Sequence, residues 1–171
     1  MIYVANNGSN SVSVINGSTN TLVTTINIGT NPLRVAVNSN TNTIYVVNQG
    51  SNSVSVINGA NNTVTTTISI GSANDPLGIA FNPNTNTAYV ANCTSGTVLV
   101  NNGSSDSVIS TINVGSNPLG IAVNPNTNTI YVTNNGSNTV SVISGSTNYP
   151  TAPTNVSASL GNLSITLSWQ P

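Results

Sequence analysis

The 171-residue chain has no histidine, no lysine and no glutamate. Its charged side chains are one arginine, Arg34, and two aspartates, Asp75 and Asp106. These absences exclude whole classes of chemistry. Without histidine there is no imidazole acid–base catalysis, no histidine-bound metal and no Ser–His–Asp triad within the chain. Without lysine there is no phosphate-gripping ammonium. Nucleic-acid binding by counterion release needs several cations and finds one, so no nucleic acid partner is expected. The single Cys93 forms no intrachain disulfide and identifies no redox compartment. No basic neighbour lowers its pKa toward a reactive thiolate, so it reads as a small residue in a turn. No apolar run approaches the ~18 residues of a membrane span, and no transmembrane segment is expected. A basic n-region and an apolar h-region are both missing at the N-terminus. No cofactor or metal site is expected.

About half of the residues are Asn, Ser or Thr. Such polarity with so little charge could accompany disorder, but disorder usually goes with low hydrophobicity. Here 37% of residues are apolar, and they come in short alternating bursts. This pattern predicts a folded all-β chain, long enough for a real core.

The bursts repeat. IYVANNGSNSVSVINGSTNTLVTTINIG starts at Ile2, and close copies start at Ile44, Ala88 and Ile130. The anchoring tyrosines are Tyr3, Tyr45, Tyr89 and Tyr131, spaced by 42, 44 and 42 residues. The longer interval arises in the GSANDP segment, where Gly71 to Pro76 replaces the shorter Gly29 to Pro32, so the insertion falls in a loop.

Each repeat reads as four short strands. The first is Pro32–Val37, Pro76–Phe81 or Pro118–Val123, with proline at its opening, where a missing N–H costs least. The second, IYVVN and its copies, is nearly apolar on both faces, as in a strand buried between layers. The third, SVSVI, alternates Ser and Val. The fourth, TVTTTISI, is Thr-rich and suits an outer position. NSNTNT and NPNTNT join the first two strands, and their Asn and Pro suit turns. Asn16-Gly17, Asn58-Gly59 and Asn102-Gly103 are expected to supply the positive φ of tight hairpin turns between the third and fourth strands. Four antiparallel strands per ~40–45 residues is the period of a propeller blade. One blade cannot bury its faces alone, so repetition follows from the physics. The fold class is therefore all-β: a partial β-propeller of about three and a half four-stranded antiparallel blades, with a 42–44-residue period.

YVAN, YVVN, YVAN and YVTN, each followed by a SVSVI-like strand, with NPNTNT ahead of the later copies, resemble the YVTN-type β-propeller repeat over residues 2–148. The resemblance implies a blade fold, usually of seven blades around a channel, and occurrence in archaeal and bacterial cell-surface or surface-layer proteins. In the third copy Asn101 stands where the second has Ile57, and Cys93-Thr94 where it has Gln49-Gly50. A locally less regular blade is expected there.

The strand count is 3 + 4 + 4 + 3, and seven blades of this period need roughly 300 residues. A single blade shared between two copies would receive six strands where four are needed. The chain thus reads as a fragment or an open arc, with further blades and a signal peptide upstream. The propeller is assigned to 1–148 and a Pro/Thr linker to 149–154. Residues 155–171 resemble the opening of a fibronectin type III domain, through Pro153, the strands around Val156–Leu160 and Ser164–Ser168, Trp169 and Pro171. Alternatively, one of these strands completes the last blade.

Few residues qualify as sites. Arg34 stands where the aligned repeats carry Gly78 and Gly120. It is a candidate channel-mouth contact for an anion or carboxylate, against the plainer reading of a solvated arginine. Asp75 and Asp106 lie in turns at different ends of their repeats and do not form a catalytic carboxylate pair. N-x-S/T sequons at Asn7, Asn16, Asn61, Asn92, Asn102, Asn135, Asn155 and Asn162 are candidate glycosylation sites. With 33 Asn in the chain, chance alone gives about nine such sequons. The repeated tyrosines read as packing between blades, in preference to a carbohydrate platform.

The function expected is a non-catalytic structural or interaction module of a secreted or cell-surface protein. Its rigid polar surface would serve adhesion or surface-layer assembly. Other surface proteins or glycans are the candidate partners, and self-association through open blade edges is a further one. The alternative is a propeller enzyme or ligand or glycan receptor whose functional residues lie in blades outside this sequence.

Overall fold

In the computed structural model, described for residues 1–72, 74–145, 154–161 and 164–170, the four repeats fold into four antiparallel sheets. Blade 1 holds β1 (Ile2–Asn6), β2 (Ser11–Asn16) and β3 (Thr21–Asn27). Blade 2 holds β4 (Pro32–Asn38), β5 (Thr43–Asn48), β6 (Ser53–Asn58) and β7 (Thr63–Ser69). Blade 3 holds β8 (Pro76–Asn82), β9 (Thr87–Asn92), β10 (Thr97–Asn102) and β11 (Ser107–Asn113). Blade 4 holds β12 (Pro118–Asn124), β13 (Thr129–Asn134) and β14 (Thr139–Ser144). Strands follow chain order in every sheet, so each link within a blade is a hairpin. The proline-led strands β4, β8 and β12 pack near one another on the inside, and the outer strands β3, β7 and β11 face solvent.

Register repeats with the sequence. Tyr3, Tyr45, Tyr89 and Tyr131 stand opposite Val14, Val56, Val100 and Val142 on the next strand. The third and fourth strands slip register at Val14/Ile15, Val56/Ile57 and Val100/Asn101. In blade 2 the unpaired residue is Thr65, whose hydroxyl donates to the Val56 carbonyl. Such a bulge increases local twist, which suits a radially stacked blade. Blade 3 carries the same slip as the others, so the expected irregularity does not extend to its backbone.

The turns correct one expectation. Gly17, Gly59 and Gly103 do not adopt positive φ; the left-handed residue is the last of each turn, Asn20, Asn62 or Asp106. At Gly59 and Gly103 glycine is needed for room instead, whereas a Cβ on Gly17 would meet only ordinary contacts with Ile2. The Gly59 N–H donates to the Asn42 carbonyl at 2.8 Å, and Gly103 does the same to Asn86. A Cβ on Gly59 would stand 2.8 Å from the Asn42 carbonyl oxygen, closer than real Cβ contacts come. The preceding Asn caps the turn: Asn58 Oδ1 accepts from the Ala60 N–H, and Asn102 Oδ1 from Ser104.

Packing lies between blades. Blades 1 and 2 meet through Val12, Val14 and Ile26 against Ile44, Val46 and Ile57. Blades 2 and 3 meet through Tyr45, Val54, Val56 and Ile68 against Ile79, Ala88 and Val90. Tyr45 stacks on Phe81 at 5.2 Å between ring centroids. Blades 3 and 4 meet through Tyr89, Val98 and Val100 against Ile130 and Val132. The tyrosines are packing residues wherever a following blade exists.

Strands β15 (Thr154–Gly161) and β16 (Ser164–Gln170) pair with each other as a separate two-stranded sheet. Most of the 149–154 linker lies outside the described residues.

Candidate functional site

The sequence singles out Arg34, and the inner strands set its surroundings. Each begins with proline and then Leu, and the first residues of the three strands converge. Leu33 and Arg34 of β4, Leu77 and Gly78 of β8, and Leu119 and Gly120 of β12 border one cleft of about 340 Å³. Pairing with the second strand is interrupted just after each proline, between Pro32 and Arg34, Pro76 and Gly78, and Pro118 and Ile121. The interruption aims the following residues into the cleft. A Cβ on Gly78 would stand 2.4 Å from the Leu119 carbonyl oxygen, so β8 can approach β12 only as glycine. Arg34 is exposed at the same repeat position. The cleft therefore carries one cation on a wall otherwise lined by leucine, isoleucine and glycine.

The loop ends form a second, larger surface. Twelve left-handed Asn or Asp residues, with Gly96, hold its turns. On the side of the first hairpin turns, amides link successive blades. Asn38 Nδ2 donates to Asn86 Oδ1 at 2.9 Å, and Asn82 Nδ2 to Asn128 Oδ1 at 2.8 Å. Asn40 and Asn84 donate likewise to the carbonyls of Pro83 and Pro125. On the other side, Asn10 Oδ1 accepts from the Asn31 N–H, and Asn52 Oδ1 from Asp75. This network fixes polar loops without charge, so the surface is rigid and nearly neutral.

Sequence reasoning missed what the last residue of the YVxN motif does. Asn48 is buried, and its Nδ2 donates to Ser55 at 2.9 Å and Ser53 at 3.2 Å. Asn6 and Asn134 repeat the pair of bonds with Ser11 and Ser13, and with Thr139 and Ser141. In blade 3 the second hydroxyl is replaced by Leu99, and Asn92 keeps one bond, to Thr97 at 3.4 Å. The signal was present in the alternating Ser of SVSVI, which looks solvent-facing until the Asn is placed over it.

The aspartates are apart. Asp75 accepts from Gln49 Nε2 at 2.7 Å. Asp106 lies against Tyr45 of the preceding blade. Both Asp106 Oδ1 and the Tyr45 hydroxyl are buried without an ordinary hydrogen bond. Burial first, then the nearby Asp106 charge and polar contact, push the Tyr45 pKa up to about 12. Burial also raises the Asp106 carboxyl, with Tyr45 opposing that shift. Asp75 and Asp106 stand at opposite ends of a blade, separated by about the 20 Å length of a strand, too far for paired-carboxylate chemistry. Cys93 is partly buried, and burial and then Asp75 raise its pKa, the reverse of thiolate activation. Among the described residues no group of three His, Cys, Asp or Glu gathers to hold a metal, and no helix is long and apolar enough to cross a membrane.

The glycosylation candidates separate by burial. Asn7, Asn61 and Asn135 are exposed. Asn16 and Asn102 are half-buried and cap their turns through Oδ1. Asn92 is buried, and its Nδ2 donates to Thr97 at 3.4 Å. The side chains of Asn155 and Asn162 lie outside the described residues.

Comparison with known proteins bears on the fold. An NHL repeat family model matches residues 116–143, the strands of blade 4. No curated protein matches the chain by sequence. Among solved structures, Kuenenia stuttgartiensis hydrazine synthase is similar at a TM-score of 0.76 and 23% identity, over 83% of this chain and 42% of that one. U3-55K is similar at a TM-score of 0.64 and 13% identity, over 82% and 47%. The chain spans less than half the length of either. At such identities the likeness speaks for architecture alone, and with the repeat match it makes this chain a β-propeller repeat protein.

Proposed function

We propose that the chain is a non-catalytic interaction module of a secreted or cell-surface protein, of the YVTN repeat type. Its loop surface would bind other surface proteins or glycans in adhesion or surface-layer assembly. The observation that carries this reading is the loop network: left-handed Asn turns tied blade to blade by hydrogen bonds of side-chain amides, with almost no charge. A surface of fixed amides and hydroxyls suits the hydroxyl-rich face of a glycan or another neutral protein surface. The NHL repeat match supports a scaffold role in the same direction. Residues 155–171 are proposed to begin a fibronectin type III-like module, a reading favoured by β15 pairing with β16 in a two-stranded sheet of their own. The test is an array of glycans and surface-protein fragments probed with the chain. Saturable binding that survives high salt is expected, and binding no higher than background sinks the proposal.

A second reading rests on Arg34. In a longer propeller with acid–base residues on other blades, Arg34 would hold the carboxylate or other anion of a channel ligand. Replacing Arg34 by Gly, the residue at the other two repeat positions, would then abolish carboxylate binding while leaving the fold intact.

A further inference from the structure

The turns between the third and fourth strands of blades 2 and 3 carry a reactive dipeptide, Asn58-Gly59 and Asn102-Gly103. In a flexible chain the glycine nitrogen of such a pair attacks the side-chain carbonyl carbon of the Asn. The new N–Cγ bond closes a five-membered succinimide, and the side-chain nitrogen leaves as ammonia. Water then opens the ring to aspartate or isoaspartate. Glycine favours the attack because it places no side chain beside the nitrogen. Two freedoms are required: a glycine nitrogen able to give up its proton, and an Asn side chain able to turn toward it. Both turns withhold both. The Gly59 N–H donates to the Asn42 carbonyl at 2.8 Å, and the Gly103 N–H to the Asn86 carbonyl at 2.8 Å. Asn58 Oδ1 accepts from the Ala60 N–H at 2.8 Å, and Asn102 Oδ1 from the Ser104 N–H at 2.7 Å. All four residues of the two pairs are half-buried.

We propose that Asn58 and Asn102 are latent deamidation sites, each held shut by the neighbouring hairpin turn of its own blade. The groups that hold the glycines are backbone carbonyls of the turns joining β4 to β5 and β8 to β9. The hold therefore lasts as long as the two turns of a blade lie together. Reaction requires that end of the blade to open, a local event that leaves the rest of the sheet paired. The chemistry then makes the opening permanent. Isoaspartate routes the chain through the former side chain and adds one carbon to the backbone ahead of the glycine. With that longer link, Asn58 cannot keep its register opposite Thr63 while Gly59 returns to Asn42. Either product also adds a negative charge to a chain whose formal net charge is −1. Each site thus records how often its blade end has opened. These sites use turn backbone and capture no ligand, so they stand apart from the proposed binding of glycans or surface proteins.

The experiment follows both sites by peptide-mapping mass spectrometry of the full chain at mildly alkaline pH, folded in buffer and unfolded in guanidinium chloride. Circular dichroism confirms the two states. In the unfolded chain both sites are expected to convert readily, mainly to isoaspartate. In the folded chain conversion is expected to be at least about tenfold slower, because only the opened fraction reacts. In low denaturant, below the unfolding transition, both rates should rise in step with hydrogen exchange at the Gly59 and Gly103 amides. Folded chain that converts as fast as unfolded chain overturns the proposal, since the hydrogen-bonded turn would then hold nothing. So do sites that stay unreacted in guanidinium chloride, or folded-state rates that do not follow exchange at the two glycine amides.

Discussion

Asn48 and Tyr45 show how far a single side chain can be assigned a role in a repetitive fold. Asn48 donates to two buried serine hydroxyls, so Asn48→Ala takes that partner from Ser55, leaves Ser53 with only its contact to Ser51, and removes a buried amide. A loss of about 1–3 kcal/mol is expected in denaturant unfolding. Asn92→Ala gives up one long bond to Thr97, whose hydroxyl also meets Ser95, and should cost less than Asn48→Ala. Equal costs would mean that the hydroxyl pair is not what fixes this residue. Tyr45 gives a prediction in pH. Its folded pKa of about 12 lies above the ordinary value of 10.0, so the folded chain holds the proton longer than the unfolded one. Its stabilising contribution is intact below pH 10 and declines as pH rises toward 12, by about 1.4 kcal/mol per pH unit. Alkaline unfolding of Asp106→Asn should begin at higher pH if loss of the carboxylate outweighs any new amide contact. The ultraviolet phenolate titration should shift the opposite way, to lower pH, since removing the negative charge makes Tyr45 easier to ionise. A Tyr45 phenolate curve unmoved by Asp106→Asn would show that burial alone sets its pKa.

At the scale of the element, periodicity carried most of the reading. Alternating Ser and Val, proline at the strand start and the 42–44-residue spacing placed every strand from β1 to β14 to within a residue or two. The sequence also put the tyrosines between blades and Arg34 on an inner strand. It did not show why its glycines are where they are. Asn-Gly in a hairpin invites the positive-φ explanation, yet Gly59 is required by the Asn42 carbonyl of another turn, a contact between segments distant in sequence. The same holds for Gly78, whose constraint comes from a different blade. Nor could alternation alone tell that Ser53 and Ser55 are buried beneath Asn48, because a polar residue on one strand face looks solvated until its partner is placed. These misses share a cause: each depends on a non-local approach of backbone or amide. Gly78 converts that lesson into a test. Gly78→Ala puts a methyl group against the Leu119 carbonyl and is expected to destabilise by about 1–3 kcal/mol, as overpacking does. Gly8→Ala, with nothing within 4 Å of the new Cβ, should shift the unfolding midpoint little. Comparable shifts would show that the inner strands yield without cost.

The molecule as a whole is a stack in which each blade meets only its neighbours, so stability should be graded along it. The second and third strands of blades 2 and 3 are buried on nearly every residue, whereas β14 is half-buried or exposed throughout. β1 and β14 are also edge strands, each paired on one side. Backbone amides exchange with solvent by local opening, and opening is cheapest where few apolar contacts must be broken. Hydrogen exchange should therefore be slowest in β5, β6, β9 and β10 and fastest in β11 and β14, the least buried edge strands. With so few charges this profile should hardly change with salt, even as the Debye length falls from about 30 to about 3 Å between 0.01 and 1 M. Flat protection along the chain would mean that the blades open as one cooperative unit, and the neighbour-by-neighbour account of this arc would have to be given up.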